Sequence, residues 1–115
     1  MNRRYCLALD LKDDPQLIAE YRRCHQDVWP EVLQSIRASG IEEMEIYLLG
    51  TRLFMIMEVN ESFSFAAKTK ADATNPRLQE WERWMWKFQQ PLPWAKPEEK
   101  WMLTEKIFGW KRSPK

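Results

Sequence analysis

The alternation of apolar and polar residues predicts strands and helices in turn along the chain. Strict two-residue alternation, typical of a strand in a sheet, occurs at residues 3–11, 42–49, 52–59 and 100–108. Apolar residues spaced three and four apart, typical of an amphipathic helix, occur at residues 15–25, 30–39 and 76–89. A short helix is also expected at residues 62–67, and residues 72–75 and 90–97 are expected to be loops.

Proline marks where three of these helices begin. Asp14-Pro15 and Asn75-Pro76 each combine a capping side chain with a residue that suits the first helical position. Trp29-Pro30 separates the first helix from the second, because the residue before proline avoids helical geometry. The order is therefore strand, broken helix, two strands, broken helix, strand. This order predicts one α+β domain over residues 1–115, with a four-stranded antiparallel sheet and helices on one face.

The two central strands are apolar on both faces, which is unusual for a sheet with one solvated side. In the first of them Met44, Ile46 and Leu48 alternate with Tyr47 and Leu49, and in the second Leu53, Met55, Met57 and Val59 alternate with Phe54 and Ile56. An uncovered apolar sheet face usually marks an interface. We therefore expect a homodimer in which two sheets pack face to face.

Composition excludes several classes of function. The 18 Lys and Arg against 17 Asp and Glu give a net charge of +1, which provides no field for nucleic acid or an anionic membrane. Only three glycines are present, none in a phosphate-loop setting, and one His with two isolated Cys matches no metal-site spacing. No apolar run is long enough to span a bilayer, and no charged-then-apolar leader precedes Arg3. We expect a cytoplasmic protein without cofactor or metal that binds a small neutral molecule.

The candidate chemistry lies in the first helix. Tyr21 and His25, the only histidine, are four residues apart, so a phenol and an imidazole share one helix face. An imidazole can give and take a proton near pH 7, and a phenol can donate a directed hydrogen bond. The alternative is that His25 is a capping or core residue, and for Trp81 in the last helix core packing is the favoured interpretation when its spacing is taken alone. Cys24 is expected to be a small packed residue rather than a partner of His25.

The segment from Glu20 to Glu31 resembles the L-rhamnose mutarotase family. It contains the pattern Tyr-x-x-x-His-x-x-x-Trp-Pro-Glu, and Gly40, the Ile46-Tyr47-Leu48 strand and the late Glu80-Trp81 pair extend the resemblance over nearly the whole chain. The resemblance implies a dimeric, ferredoxin-like enzyme of the cytoplasm that interconverts the α and β anomers of a deoxysugar. It implies no cofactor.

The resemblance also implies roles for individual residues. The catalytic histidine falls on His25, its partner tyrosine on Tyr21, and the sugar-contacting tryptophan on Trp81. Two substrate-binding positions differ from the family's rhamnose enzymes: Met44 stands in place of a tyrosine and Glu82 in place of a second tryptophan. The proton-transfer residues are thus kept while sugar-contacting residues change, so L-fucose becomes a candidate substrate beside L-rhamnose.

Two other functions fit the same pattern. A cofactor-free oxygenase with the same dimeric architecture would also use one histidine and several tryptophans. A non-catalytic sugar-binding dimer would use the same cavity without accelerating any reaction, since a fold does not fix a function.

Overall fold

The computed structural model describes residues 2–112, so Met1 and the last three residues of the predicted domain lie outside the described part. The strands are β1 (Arg3–Leu11), β2 (Ile41–Leu49), β3 (Arg52–Val59), β4 (Gln89–Gln90) and β5 (Met102–Leu103). The helices are α1 (Pro15–Cys24), α2 (Pro30–Ala38), α3 (Phe65–Ala73) and α4 (Pro76–Trp86).

The strands form one antiparallel sheet in the order β2-β3-β1-β4, and β5 also pairs with β1. Helices α1 and α2 connect β1 to β2, and helices α3 and α4 connect β3 to β4. This is the predicted ferredoxin-like α+β arrangement, with each half of the chain contributing a strand, a broken helix and a strand. The long pairing of β1 with β3 brings the two halves together at the centre of the sheet.

One face of the sheet packs against the helices. Leu9 and Leu53 are register partners on this inner face and are 0% and 2% exposed. Apolar side chains from all three long strands join buried residues of α1, α2 and α4 in the core. Truncating such a fully buried leucine to alanine typically costs about 2–5 kcal/mol. The helices therefore pack on a buried sheet face, and any site between the helices and the sheet is supported by that face.

The cap-then-proline signals are confirmed at two helix starts. The Asp14 carboxylate accepts hydrogen bonds from the backbone N–H groups of Gln16 and Leu17, at 2.9 and 3.2 Å. The Asn75 side chain accepts from the N–H of Arg77 at 3.1 Å. Each cap satisfies donors that the first helical turn leaves without partners. These caps fix where α1 and α4 begin.

The end of the chain departs from the sequence prediction. The helix expected over residues 76–89 ends at Trp86, and Gln89–Gln90 instead pairs with the end of β1. Pro91 follows at once and cannot donate to a ladder, so β4 stops after two residues. The strand expected over residues 100–108 is reduced to Met102–Leu103.

The alternation of residues 105–108 was a misleading signal. After β5, the N–H of Thr104 donates to the carbonyl of Cys6 at 2.9 Å, and no strand follows between Leu103 and Arg112, where the described part ends. Ile107 is 89% exposed and Phe108 is also exposed. Without a neighbouring strand in the described chain, alternation alone does not form a sheet.

Helix α3 is longer than the sequence predicted. Ser64 caps it by accepting from the N–H of Ala67, and the helix continues to Ala73 through part of the expected loop. A tertiary network supports this extension, because Ser35 of α2 donates to the Asp72 carboxylate at 2.7 Å and Lys68 pairs with the same carboxylate at 2.8 Å. The extension depends on contacts with another helix, which the local pattern does not contain.

The outer face of the sheet presents apolar side chains away from the helices. Cys6, Phe54 and Ile56 alternate with the core residues and are half-buried, and Tyr47 is exposed. The homodimer predicted from this apolar face stays a prediction. No helix within residues 2–112 combines the length and apolar character that crossing a membrane needs, and the cytoplasmic location also stays a prediction.

Candidate active site

A cavity of about 690 Å³ lies between the inner face of the sheet and the helices. This volume is within the range typical of small-molecule sites. Most of its lining is apolar, as in sites that bind small ligands through a few placed polar groups. All five side chains predicted for the site line this cavity: Tyr21, His25, Met44, Trp81 and Glu82. A second cavity of about 590 Å³ is also lined by Tyr21 and His25.

His25 is held by the helix that precedes it. As the C-cap of α1, it places its Nδ1 2.9 Å from the carbonyl oxygen of Tyr21. Because a carbonyl oxygen can only accept, Nδ1 must be the nitrogen that donates its hydrogen. The neutral ring therefore keeps its lone pair on Nε2, which fixes the tautomer suited to accept a proton.

Burial shifts the proton affinity of His25. Desolvation lowers its pKa below the ordinary 6.5, and the hydrogen bond to the Tyr21 carbonyl opposes part of that change. Burial acts this way because it penalises the charged imidazolium. At neutral pH His25 is thus an uncharged base.

Tyr21 has the complementary character. Its side chain is 4% exposed, and its ring lies 4.4 Å from the His25 ring between centroids. Burial raises the pKa of Tyr21 to about 12, aided by the nearby Glu82 and opposed by a hydrogen bond from Gln89. Tyr21 therefore keeps its proton at neutral pH and can serve as an acid or a hydrogen-bond donor. The one-turn spacing seen in the sequence has placed an acid beside a base.

Trp81 belongs both to the core and to the cavity wall. It is 7% exposed and lies edge-on to the rings of Trp29 and Trp84, with centroids 5.1 and 5.5 Å away. It also lies edge-on to His25 at 5.8 Å. The two functions that the sequence left open for Trp81 are not exclusive, since one ring can pack against its neighbours and border a ligand site.

Glu82 and Met44 complete the predicted set. Lys100 Nζ pairs with Glu82 Oε1 at 2.7 Å and lies 5.0 Å from the centre of the Trp86 ring. Glu82 thus ties the segment before β5 to α4 at the edge of the cavity. Met44 lies on β2 opposite Met57 and is half-buried.

Two carboxylates on the long strands lie away from the cavity. Asp10 lies on the outer-face side of β1 and pairs with Arg52. Glu58 pairs with Arg4 at 3.1 Å. Both face away from the helices because of strand alternation.

The sequence did not indicate Gln89, Lys100 or Trp101 as site residues. Gln89 and Trp101 line the cavity, and Lys100 holds Glu82. The helical pattern places Gln89 at the end of the helix predicted over residues 76–89, where glutamine is common. Only its pairing with β1, a contact distant in sequence, brings it to Tyr21.

Among residues 2–112 no group of three or more His, Cys, Asp and Glu side chains could hold a metal ion. Cys24 is buried in the core cluster, as expected for a packed residue, and burial raises the pKa of its thiol.

Comparison with known proteins decides the family. The model of the L-rhamnose mutarotase family matches residues 4–110. The chain belongs to the L-rhamnose mutarotase family. As a member it is an isomerase of the type that interconverts sugar anomers.

The relatives within this family carry two substrate names. A protein of Xanthomonas campestris pv. campestris called L-fucose mutarotase is 49% identical over 108 residues, which cover 92% of this chain and 86% of that protein. An L-rhamnose mutarotase of Shigella flexneri is 27% identical over 93 residues, covering 79% and 82%.

A solved structure shows the same fold. The L-rhamnose mutarotase of Formosa agariphila matches with a TM-score of 0.70 at 20% identity, over 95% of this chain and 99% of that chain. At this identity the likeness supports the shared fold alone.

Proposed function

We propose that this protein interconverts the α and β anomers of a 6-deoxyaldose, with L-fucose preferred over L-rhamnose, by acid–base catalysis through His25 and Tyr21. The observation that carries the proposal is the pair itself: a neutral imidazole of defined tautomer and a protonated phenol share one cavity, with ring centroids 4.4 Å apart. Mutarotation requires one group that takes a proton and one that gives a proton.

His25 acts as the base in ring opening. Nε2 takes the proton from the anomeric hydroxyl, since Nδ1 is committed to the Tyr21 carbonyl. The lowered pKa keeps this nitrogen free of a proton at neutral pH. Orientation by a backbone carbonyl gives the base a fixed direction in the cavity.

Tyr21 acts as the acid. Its hydroxyl donates to the ring oxygen as the bond from C1 to that oxygen breaks, and the open-chain aldehyde forms. Rotation about the C1–C2 bond then presents the other face of the carbonyl. Ring closure returns each proton: the sugar hydroxyl gives its proton back to Tyr21, and His25 protonates the former carbonyl oxygen. No proton or electron is gained or lost over the cycle.

The cavity lining supports a deoxysugar as substrate. Its walls are largely apolar, which suits a methyl substituent and the C–H face of a pyranose, and Trp81 offers an aromatic surface for that face. Met44 and Glu82 supply a different pair of contacts from the tyrosine and tryptophan expected for rhamnose. The 49% identity to an L-fucose mutarotase supports the same preference.

The test is anomer exchange measured by NMR saturation transfer with L-fucose, L-rhamnose and further aldoses. We expect faster exchange for L-fucose than for L-rhamnose, and no acceleration for sugars too large for the cavity. Binding of a sugar without faster exchange would favour the non-catalytic alternative. Oxygen consumption with an aromatic substrate and no sugar exchange would favour the oxygenase.

We also propose that the protein acts as a homodimer with its outer sheet faces packed together. The half-buried apolar residues Cys6, Phe54 and Ile56 on that face support this arrangement. Sedimentation equilibrium should give twice the 14.0 kDa chain mass, and a monomeric mass would contradict the proposal.

A further inference from the structure

Gln89 is a buried polar residue at the wall of the cavity. Its side chain is 3% exposed, and it lies beside Tyr21 because β4 pairs with the end of β1. Its neighbour Gln90 alternates to the other side and is exposed. The strand therefore turns one of two adjacent glutamines inward.

Of the two polar atoms of the Gln89 amide, only the nitrogen makes a hydrogen bond within the described residues. Nε2 donates to the Tyr21 hydroxyl at the long distance of 3.4 Å. Among the described residues, Oε1 has no hydrogen-bond partner although it is buried. Buried polar atoms are nearly always paired, and an exception in a cavity wall calls for a ligand that supplies the partner. The amide carries its acceptor and its donor on separate atoms, so Oε1 is available to a ligand while Nε2 donates to Tyr21.

We propose that Gln89 binds a sugar hydroxyl through Oε1 and orients the hydroxyl of Tyr21 through Nε2. This inference rests on the proposed mutarotation. When the Tyr21 oxygen accepts from Nε2, its own hydrogen must point elsewhere and is available to the ring oxygen of the sugar. Gln89 is thus a substrate-binding residue and a positioning residue for the acid.

The first test replaces Gln89 with methionine, which has similar length and no amide. We expect kcat/KM for the accepted sugar to fall about 10- to 100-fold, the range for losing hydrogen bonds in a desolvated site. We expect the thermal midpoint to stay the same or rise, because an unpaired buried group has been removed. The matched control is Gln90→Met, which changes the exposed neighbour and should leave both quantities unchanged.

A second variant separates the two roles. Gln89→Glu keeps an acceptor for the sugar but replaces the amide donor with a carboxylate oxygen. That oxygen accepts a hydrogen bond from the Tyr21 hydroxyl and so draws its hydrogen away from the sugar. We expect kcat to fall more than KM rises, whereas Gln89→Met should affect both.

Analogues lacking one ring hydroxyl at a time identify the hydroxyl that Gln89 binds. Removing that hydroxyl should lower kcat/KM about 10-fold for the wild type and leave the Gln89→Met variant unchanged.

The outcomes distinguish this inference from the proposed function. A wild type that exchanges no aldose overturns both. A wild type that is active beside an equally active Gln89→Met variant overturns only the role of Gln89. A Gln89→Met variant with a lower thermal midpoint and unchanged analogue responses would show a structural role and also overturn it.

Discussion

Helices α1 and α4 border the same cavity but hold their site residues in different ways. In α1, His25 is oriented by the backbone of its own helix, one turn earlier, through the 2.9 Å bond to Tyr21. In α4, Trp81 is held by ring contacts that include Trp29, and Glu82 by an ion pair with Lys100, both from other segments. The residues proposed for proton transfer are thus held within one helical segment, whereas those proposed to contact the sugar are held by contacts with other segments.

This difference predicts a division of kinetic effects. Changes on α1 should lower kcat with little change in KM, because they remove groups that act on the transferring protons. Changes on α4 should alter KM or the ranking of sugars. The following four substitutions test that division in order of expected size.

His25→Asn should have the largest effect. Asparagine keeps a polar side chain but cannot take a proton, so kcat should fall about 10²- to 10⁴-fold with the fold intact. Anomer exchange by NMR measures the rate, and circular dichroism checks the fold. A variant that keeps most of its rate would remove His25 from the mechanism.

The pH profile sharpens the same assignment. Burial lowers the pKa of His25, so wild-type activity should persist below the histidine's ordinary 6.5 and be lost as the pH falls through the lower value. The free energy of unfolding should also fall as the pH drops below 6.5. His25 takes up a proton more readily in the unfolded chain than in the folded one, so acid favours the unfolded state. In His25→Asn the acidic limb of the residual rate should disappear.

Tyr21→Phe should lower kcat by about 100-fold, because the ring and its packing remain while the acid is lost. The carbonyl that orients His25 belongs to the backbone and is unaffected. The acidic limb of the pH profile should therefore be the same as in the wild type, and a shifted limb would mean that the phenol itself orients the base.

Trp81→Leu should raise KM about 10-fold through the loss of an aromatic surface for the sugar, with a smaller change in kcat. Because Trp81 also packs in the core, the variant should lose stability. Trp84→Leu is the matched control: Trp84 also contacts the Trp29 ring but does not line the cavity. Equal KM values for the two variants would assign Trp81 to packing alone.

Glu82→Trp should have the smallest effect, a few-fold shift of preference from L-fucose toward L-rhamnose. Lys100→Met breaks the ion pair between Lys100 and Glu82 while leaving Glu82 in place. This control distinguishes the effect of losing the ion pair from the effect of changing the side chain at position 82. An unchanged ranking of sugars in Glu82→Trp would mean that position 82 does not select the substrate.

The same contrast between local and tertiary determinants explains how far the sequence predicted the structure. Strands β1 and β3, the starts of α1 and α4 and the Tyr21–His25 pair all follow from patterns within one segment, and all are present. The three long strands and three of the helices thus follow from local periodicity and capping.

The prediction failed where a partner decides the structure. Residues 105–108 alternate but have no strand beside them. Gln89 shows no strand pattern, yet it belongs to a strand because it pairs with Leu11. The end of α3 depends on Ser35 of another helix. For the same reason the sequence indicated the proposed acid and base, Tyr21 and His25, but not Gln89.

The bond between the His25 ring and the Tyr21 carbonyl does not involve the side chain at position 21, so the phenol can be replaced while this bond remains. Every amino acid supplies the same backbone oxygen there, so substitutions at this position can alter the acid while the base keeps its tautomer and direction. The two residues of the proposed proton-transfer pair are thus separable in evolution as well as in the laboratory. A lineage could lose or retune the acid one mutation at a time and still retain an oriented histidine on which a new activity could be built.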